Sequence, residues 1–376
     1  MEAATRAFDS LATKFGNRFE SEFRAVAGFE RKPLAMARQL LRLAALLHDT
    51  GHAAFSHAAE SAVHAMGHEA LSMQLIAERD YLGSVLDRAY GAGSARRVAE
   101  ILKGQPKLPP QLQVLNNLVS GEMDADRSDY LLRDSHHCGV DYGRFDFPRL
   151  IESIQLDSGS DGLQLALHSD GLHAFEALIL ARYQMSTQVY YHRLRRVYDQ
   201  YLVNYHRALG EDAFDSADKI IKENDTTMLA RIMKDAERRD ERGKWAKRIV
   251  TRDHHKLVFE PGIHVGSGHD LLCAKVVFDA VKAKYTTFEF IADIPSKAFG
   301  IHKLLAPDAE EGTGTDLMLI TRGGAKRPVI SSSQILSKIP RTFRPVRIFG
   351  NVENRATRKE IAAFAVQKWH EHGGNL

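Results

Sequence analysis

The sequence predicts a mainly α-helical protein, with an all-helical domain over residues 1–210 and a smaller α+β domain over residues 211–376. Three observations carry that prediction. Apolar residues recur at spacings of three and four through most of the first 210 residues, the period of a helix face turned to a core. Beyond Gly210 a charged helical stretch gives way to short runs rich in Val, Ile and Phe, as strands require. With 44% apolar and 26% charged side chains over 376 residues, the chain can bury a large core and is too apolar to be disordered.

Taken in order, "FRAVAGFERKPLAMARQLLRLAALLHD", "HEALSMQLIAERDYL" and "ARRVAEILKG" read as helices. "KGQPKLPPQ" (103–111) interrupts them, because proline lacks an N–H and the residue before it avoids helical backbone. "LDSGSDG" (156–162) reads as a turn, and "GLHAFEALILARYQMSTQVYYHRLRRVYDQYLVNYHRAL" returns to the helical period. In the second domain "FEFIADIP" (288–295), "DLMLITRGG" (316–324) and "RPVRIFG" (344–350) are candidate strands. "ITRGGAKRP" reads as a hairpin turn, and "RKEIAAFAVQKWHEH" as a closing helix.

Composition excludes several classes. A net charge of +3 argues against coating nucleic acid through bulk charge, although a local basic patch remains compatible with it. Cys138 and Cys273 are the only cysteines, which leaves no disulfide framework and no paired-cysteine metal clip; a reducing cytoplasm fits. Cys138, beside His137, reads as a small packing residue. The N-terminus is charged throughout, without the apolar core of a signal peptide, and no apolar run approaches the ~18 residues of a membrane span. A cytoplasmic protein without membrane contact is expected.

Chemistry concentrates in two segments. "LAALLHDTGHAAFSHAAE" (43–60) sets His48, Asp49, His52, His57 and Glu60 in an otherwise apolar run, and His68 follows; five of the 18 histidines lie between His48 and His68. Buried imidazoles and carboxylates are costly unless paired or bound to metal, so the cluster points to a metal or phosphate site. The second segment, "SGEMDADRSDYLLRDSHHCGVDYGRFD" (120–146), holds Asp124, Asp126, Asp129 and Asp134 around Arg127 and Arg133. On a helix Asp126, Tyr130 and Arg133 or Asp134 share a face, offering one carboxylate to a metal and a polar surface to a substrate; a solvated helix with internal ion pairs is the alternative.

Together these blocks resemble the HD-domain phosphohydrolases, and within them the branch of the deoxynucleoside triphosphate triphosphohydrolases. The match is carried by "HDTGHAAFSHAAE", by His68–Glu69 and by "DADRSDYLLRDSHHCGV", and extends weakly to "RIVTRDHHKLVFE" and "RPVRIFG". The resemblance implies one divalent metal ion held in part by His48, Asp49 and Asp126; the donor types suit Mg, Mn, Fe or Zn without selecting one. It implies that His52, His57 and His68 line the triphosphate path, with Glu60 orienting such a histidine. Arg127 and Arg182 would meet phosphates, with Tyr130, Asp134 and Tyr190 near the sugar. Arg182 and Tyr190 are eight residues apart, about two turns of a helix, and fall on one face. The expected activity is hydrolysis of a dNTP to deoxynucleoside and triphosphate by a homo-oligomer.

The chain departs from the family pattern twice. Ser186 stands where the human member of that branch carries a further histidine. The family's first metal histidine precedes the doublet, yet residues 1–47 contain no histidine, so the usual N-terminal segment is expected to be missing from this sequence. Two alternatives follow. One is an HD-type phosphodiesterase or 3′-end nuclease on single-stranded DNA, motivated by residues 231–256, with ten Lys/Arg against five Asp/Glu. The other is a nucleotide-binding protein with an incomplete metal site. The basic run also reads, more plainly, as a solvated helix face.

Overall fold

The computed structural model describes residues 1–58, 67–104, 108–159, 162–214, 216–262, 268–295, 298–302, 304 and 317–374. The chain forms two compact units, each assembled from separated stretches: Met1–Gly51, His68–Met185 and Ile301–Arg341 in one, His52–Gly67, Ser186–Gly300 and Thr342–Leu376 in the other.

The first unit is mainly helical. Its opening helix, Glu2–Arg24, kinks at Gly16 and buries Phe8, Phe19 and Phe23, with the Phe19 and Phe23 rings edge to face at 5.0 Å. The helical period across residues 23–49 is interrupted: the first helix stops at Arg24 and the next, Pro33–Leu47, begins on a proline at its first position, where no N–H is needed. That second helix buries Leu40, Leu41 and Ala44. Further helices run over His68–Ala77, Ser94–Lys103, Pro110–Ser120 and Ala125–Cys138. The break expected at 103–111 is found: the helix before it ends at Lys103 with Gly104 left-handed at φ +56°, and the next begins on Pro110, residues 105–107 lying outside the described residues.

A β-hairpin interrupts the helical part. Ile154–Gly159 pairs antiparallel with Gly162–His168, Ile154 opposite Leu167 and Leu156 opposite Leu165. Residues 156–159 and 162 of the segment read as a turn are therefore strand, and residues 160–161 lie outside the described residues; the period-two leucines are too few to stand out between two helices. Met318–Ile320 adds parallel to the second strand, and Lys326–Pro328 pairs antiparallel to it, closing the hairpin expected at "ITRGGAKRP".

The second unit is built on the helix Arg193–Leu209 and on a three-stranded antiparallel sheet. Arg347–Gly350 is central, flanked by Lys256–Phe259 and Phe290–Asp293. The helices Gly268–Lys284 and Arg355–Glu371 contribute Val277, Val281, Ile361 and Trp369 to a core shared with Phe259 and Ile348. The predicted strands and the closing helix are thus found, and the chain is mainly helical with strands gathered toward its C-terminal part.

Two further expectations meet the structure here. Cys138 does not pack: it is an exposed free thiol on the last turn of its helix. The basic run of residues 231–256 spans the helices Asp225–Asp235 and Glu241–Thr251 and is extensively paired. Arg242 meets Asp235 at 2.6 Å, Lys244 meets Glu289 at 2.6 Å, and Arg248 meets Glu289 and Asp253, each at 3.2 Å. Arg238 and the Gly243 N–H hold the Asp240 carboxyl down at about 2. Among the described residues no helix is long and apolar enough to cross a membrane.

Candidate metal centre

Three donors converge within the first unit. His48 follows directly on the helix Pro33–Leu47, its N–H closing the last turn onto Ala44 O at 3.0 Å. Asp49 is its neighbour. Asp126 comes from the first turn of Ala125–Cys138, whose start and stop are written in the sequence. Asp124 is the N-cap, its Oδ1 accepting the Arg127 N–H at 2.7 Å, and Gly139 ends the helix in a left-handed conformation at φ +67°.

The His48 ring stands 3.2 Å from Ala45 O through Nδ1. Donation there places the lone pair on Nε2, the arrangement a metal-binding imidazole needs. Nε2 is buried and makes no hydrogen bond among the described residues, yet lies 3.3 Å from Asp49 Oδ2 and 3.3 Å from Asp126 Oδ1. Donors each about 2.1 Å from one ion, set at roughly tetrahedral angles, lie about 3.3 Å apart. One donor atom from each of the three residues falls within 4.8 Å of the others. An orphaned imidazole lone pair facing two carboxylates fits a single divalent cation, and three protein donors leave coordination positions open. Burial works to lower the His48 pKa, but the contact with Asp126 and the charges of Asp49 and Asp126 outweigh it, and the net shift is upward.

Behind Asp126 lies a buried charged cluster. Arg127 turns inward, with Nη1 donating to Gly121 O at 2.8 Å and the guanidinium 3.4 Å from Asp124 and 3.6 Å from Glu122. Burial drives the Asp124 carboxyl up to about 7, against the pull of Arg127. Arg182, on the helix Leu172–Met185, has its pKa lowered by burial and by Arg127; Tyr130 has its own raised by burial. Asp134 follows Tyr130 by one turn on the same helix and is half-buried. His302, which no sequence pattern marks, belongs to the same unit. It is buried, its Nδ1 makes no hydrogen bond among the described residues, and it feels the charges of Glu122 and Arg182.

The remaining predicted site residues are not among these three donors. His68 opens the helix His68–Ala77 in the first unit. Gly51 lets the chain after the doublet approach that helix: its N–H donates to Ser72 Oγ at 2.8 Å, and a Cβ there would lie 2.3 Å from His68 O. His52 and His57 belong to the second unit, their rings perpendicular at 4.5 Å. His52, Ala53, Ala54 and residues 223–227 line a cleft of ≈ 680 Å³ in that unit. Glu60 lies outside the described residues. Tyr190 ends a wider π turn over Ser186–Tyr190, so the helix carrying Arg182 stops at Met185 and the two-turn register expected between Arg182 and Tyr190 does not hold.

Two family models match the chain. Residues 11–131 match the HD domain, and residues 145–265 match the HD associated region. The chain belongs to the HD-domain superfamily of phosphohydrolases, and His48, Asp49 and Asp126 fall inside the HD match. An uncharacterized protein of Bacillus subtilis, YwfO, is 38% identical over 159 residues, covering 42% of this chain and 34% of that protein. A Dictyostelium discoideum deoxynucleoside triphosphate triphosphohydrolase SAMHD1 homolog is 26% identical over 201 residues, covering 50% of this chain and 35% of that protein. The matched segments thus span about a third of these curated relatives. In fold, the chain is similar to a hypothetical protein of Aquifex aeolicus (TM-score 0.68, 21% identity, 96% of this chain and 83% of that one). It is also similar to a phosphohydrolase of Bacteroides thetaiotaomicron (TM-score 0.64, 19% identity, 92% and 84%).

Proposed function

We propose that this protein is a metal-dependent phosphohydrolase that converts dNTPs to deoxynucleoside and inorganic triphosphate. The observation that carries the reading is the His48 Nε2 lone pair, buried, without a hydrogen bond among the described residues, and 3.3 Å from each of two carboxylates. A divalent ion held there would supply Lewis acidity toward a phosphoryl oxygen and lower the pKa of an attacking water. His48, Asp49 and Asp126 hold the ion; Asp124 and Arg127 fix the helix start that presents Asp126. His52, His57 and His68 are proposed to line the triphosphate path, where an imidazolium neutralises phosphate charge or protonates the departing oxygen, with Glu60 orienting one of them. Arg127 and Arg182 add positive charge for the phosphates, and Tyr130, Asp134 and Tyr190 bound the sugar.

The similarity to a dNTP triphosphohydrolase homolog supports this substrate class. The alternative on single-stranded DNA rests on the basic run, and the ion pairs within that run tie up much of its charge. A homo-oligomer is proposed from the family resemblance and a cytoplasmic location from the cysteine usage, and light scattering of the purified protein decides the first. The function itself is tested by incubating the protein with each dNTP and Mn²⁺ or Mg²⁺. Release of intact triphosphate is expected. Its absence from every dNTP, or cleavage of oligonucleotides alone, contradicts the proposal.

A further inference from the structure

Between His52 and His57 the backbone takes a conformation that bulky residues avoid. Phe55 and Ser56 are consecutive residues at φ +63° and +51°, in the left-handed region that glycine and asparagine normally occupy. Neither is glycine. Such strain persists only where the surroundings over-determine it, and it gathers at functional sites. Local bonds close the turn: Ser56 N–H donates to Ala53 O at 2.9 Å, and Ala58 N–H to Phe55 O at 3.2 Å. A further bond arrives from 170 residues away, where Phe55 N–H donates to Asp225 Oδ1 at 2.8 Å. A carboxylate acceptor makes this bond stronger than a neutral one.

Asp225 is itself firmly placed. It is the first residue of the helix Asp225–Asp235, whose N-terminus is closed by a reciprocal capping box between Asn224 and Thr227. Glu223, just before it, is ion-paired with Arg231. The same stretch, residues 223–227, forms the wall of the cleft that His52 lines from the opposite strand of chain. A rigid helix start therefore holds the apex of a strained turn whose two ends carry the perpendicular imidazoles of His52 and His57.

We infer that Asp225 is a positioning residue: its carboxylate pins the Phe55 amide, and through that turn fixes the mutual geometry of His52 and His57. The inference rests on the proposed role of those histidines on the phosphate path. Pinning the backbone needs an acceptor oxygen and no negative charge. Asp225→Asn keeps the oxygen and loses the charge, whereas Asp225→Ala loses both.

The test pairs an activity readout with one independent of activity. Protein labelled with ¹⁵N at histidine reports the His52 and His57 imidazole signals, assigned by His52→Gln and His57→Gln. In Asp225→Ala both signals are expected to shift or broaden, with the bound-metal ratio and the circular dichroism spectrum kept at wild-type values. Asp225→Asn is expected to keep both signals in place. Phe55→Gly in the Asp225→Ala background, which removes the steric cost at φ +63°, is expected to restore part of the signal. Triphosphate release should fall about tenfold or more in kcat in Asp225→Ala and recover in Asp225→Asn, a misplaced catalytic group being able to cost that much. Unchanged imidazole signals in Asp225→Ala overturn the inference, as does an equal loss in Asp225→Asn and Asp225→Ala. If the wild-type protein releases no triphosphate, the proposed function fails while the imidazole signals still decide the role of Asp225.

Discussion

Two clusters of partly buried charge, one in each unit, are built in opposite ways. In the second unit Arg196 grips Asp293 with a fork of two bonds, Nε to Oδ2 at 2.9 Å and Nη2 to Oδ1 at 2.5 Å, while Asp199 and Gln200 complete the set. Burial works to lower the Arg196 pKa, and the bonds to Asp293 overcome it and raise it. Every charge there has an answer inside the protein. In the first unit His48 Nε2 faces two carboxylates and bonds to neither, and Asp49 stays about half exposed. A satisfied network orders the fold; an imidazole lone pair left aimed at acceptors is incomplete without a cation. The difference separates structural from functional polarity more cleanly than burial does.

Mutation should therefore split stability from chemistry. Asp126→Ala is expected to lower triphosphate release on the order of a thousandfold, since a metal contributes several kcal/mol of charge stabilisation. Its unfolding midpoint should change little, and a thermal melt beside the activity assay checks both. Asp293→Ala is expected to do the reverse. It leaves the Arg196 guanidinium, only 17% exposed, without its main partner and should cost about 3–5 kcal/mol of stability in denaturant titration. Metal content should be unaffected. If Asp293→Ala removed the metal, or Asp126→Ala unfolded the chain, the contrast between the two clusters would collapse.

A weaker effect follows from His255, also in the second unit. Its Nδ1 lies 2.6 Å from the Tyr201 hydroxyl, which in turn accepts the His255 N–H at 2.7 Å. Burial and nearby Arg248 depress the imidazole from 6.5 to about 4, with Glu289 pulling the other way. The folded state thus holds His255 neutral while the unfolded chain protonates it. Stability from this group is complete above pH 6.5 and is lost as the pH falls toward 4. Denaturation midpoints measured across that range should decline less in His255→Gln than in the wild type. The smallest effect is expected at the exposed pair of Arg322 with Asp170, 2.9 Å apart. Arg322→Ala should leave the unfolding midpoint unchanged within error, because solvent screens such a pair.

The candidate donors were legible in the sequence because two are neighbours and the third sits at a helix start that the sequence itself marks. The His48–Asp49 doublet needs only the end of one apolar helix, and Asp126 needs only the Asp124 cap and the Gly139 stop. What sequence could not supply depends on long-range contact. The hairpin at residues 154–168 competes with strong helical periodicity on both sides. The π turn at Ser186–Tyr190 breaks a register that the spacing of Arg182 and Tyr190 takes for granted. Arg127, assigned to phosphates by resemblance, also meets Glu122, Asp124 and Gly121, contacts that no local pattern encodes. Asp225 and His302 carry no motif at all; only folding places one against the His52–His57 turn and the other within the field of Arg182.

The most direct measurement is metal content. The purified chain, loaded with Mn²⁺ and desalted, should retain one ion per chain by elemental analysis, and His48→Ala, Asp49→Ala and Asp126→Ala should each lose it while remaining folded. Retention of the ion in all three variants, or its absence from the wild-type protein, would contradict a metal centre at His48, Asp49 and Asp126.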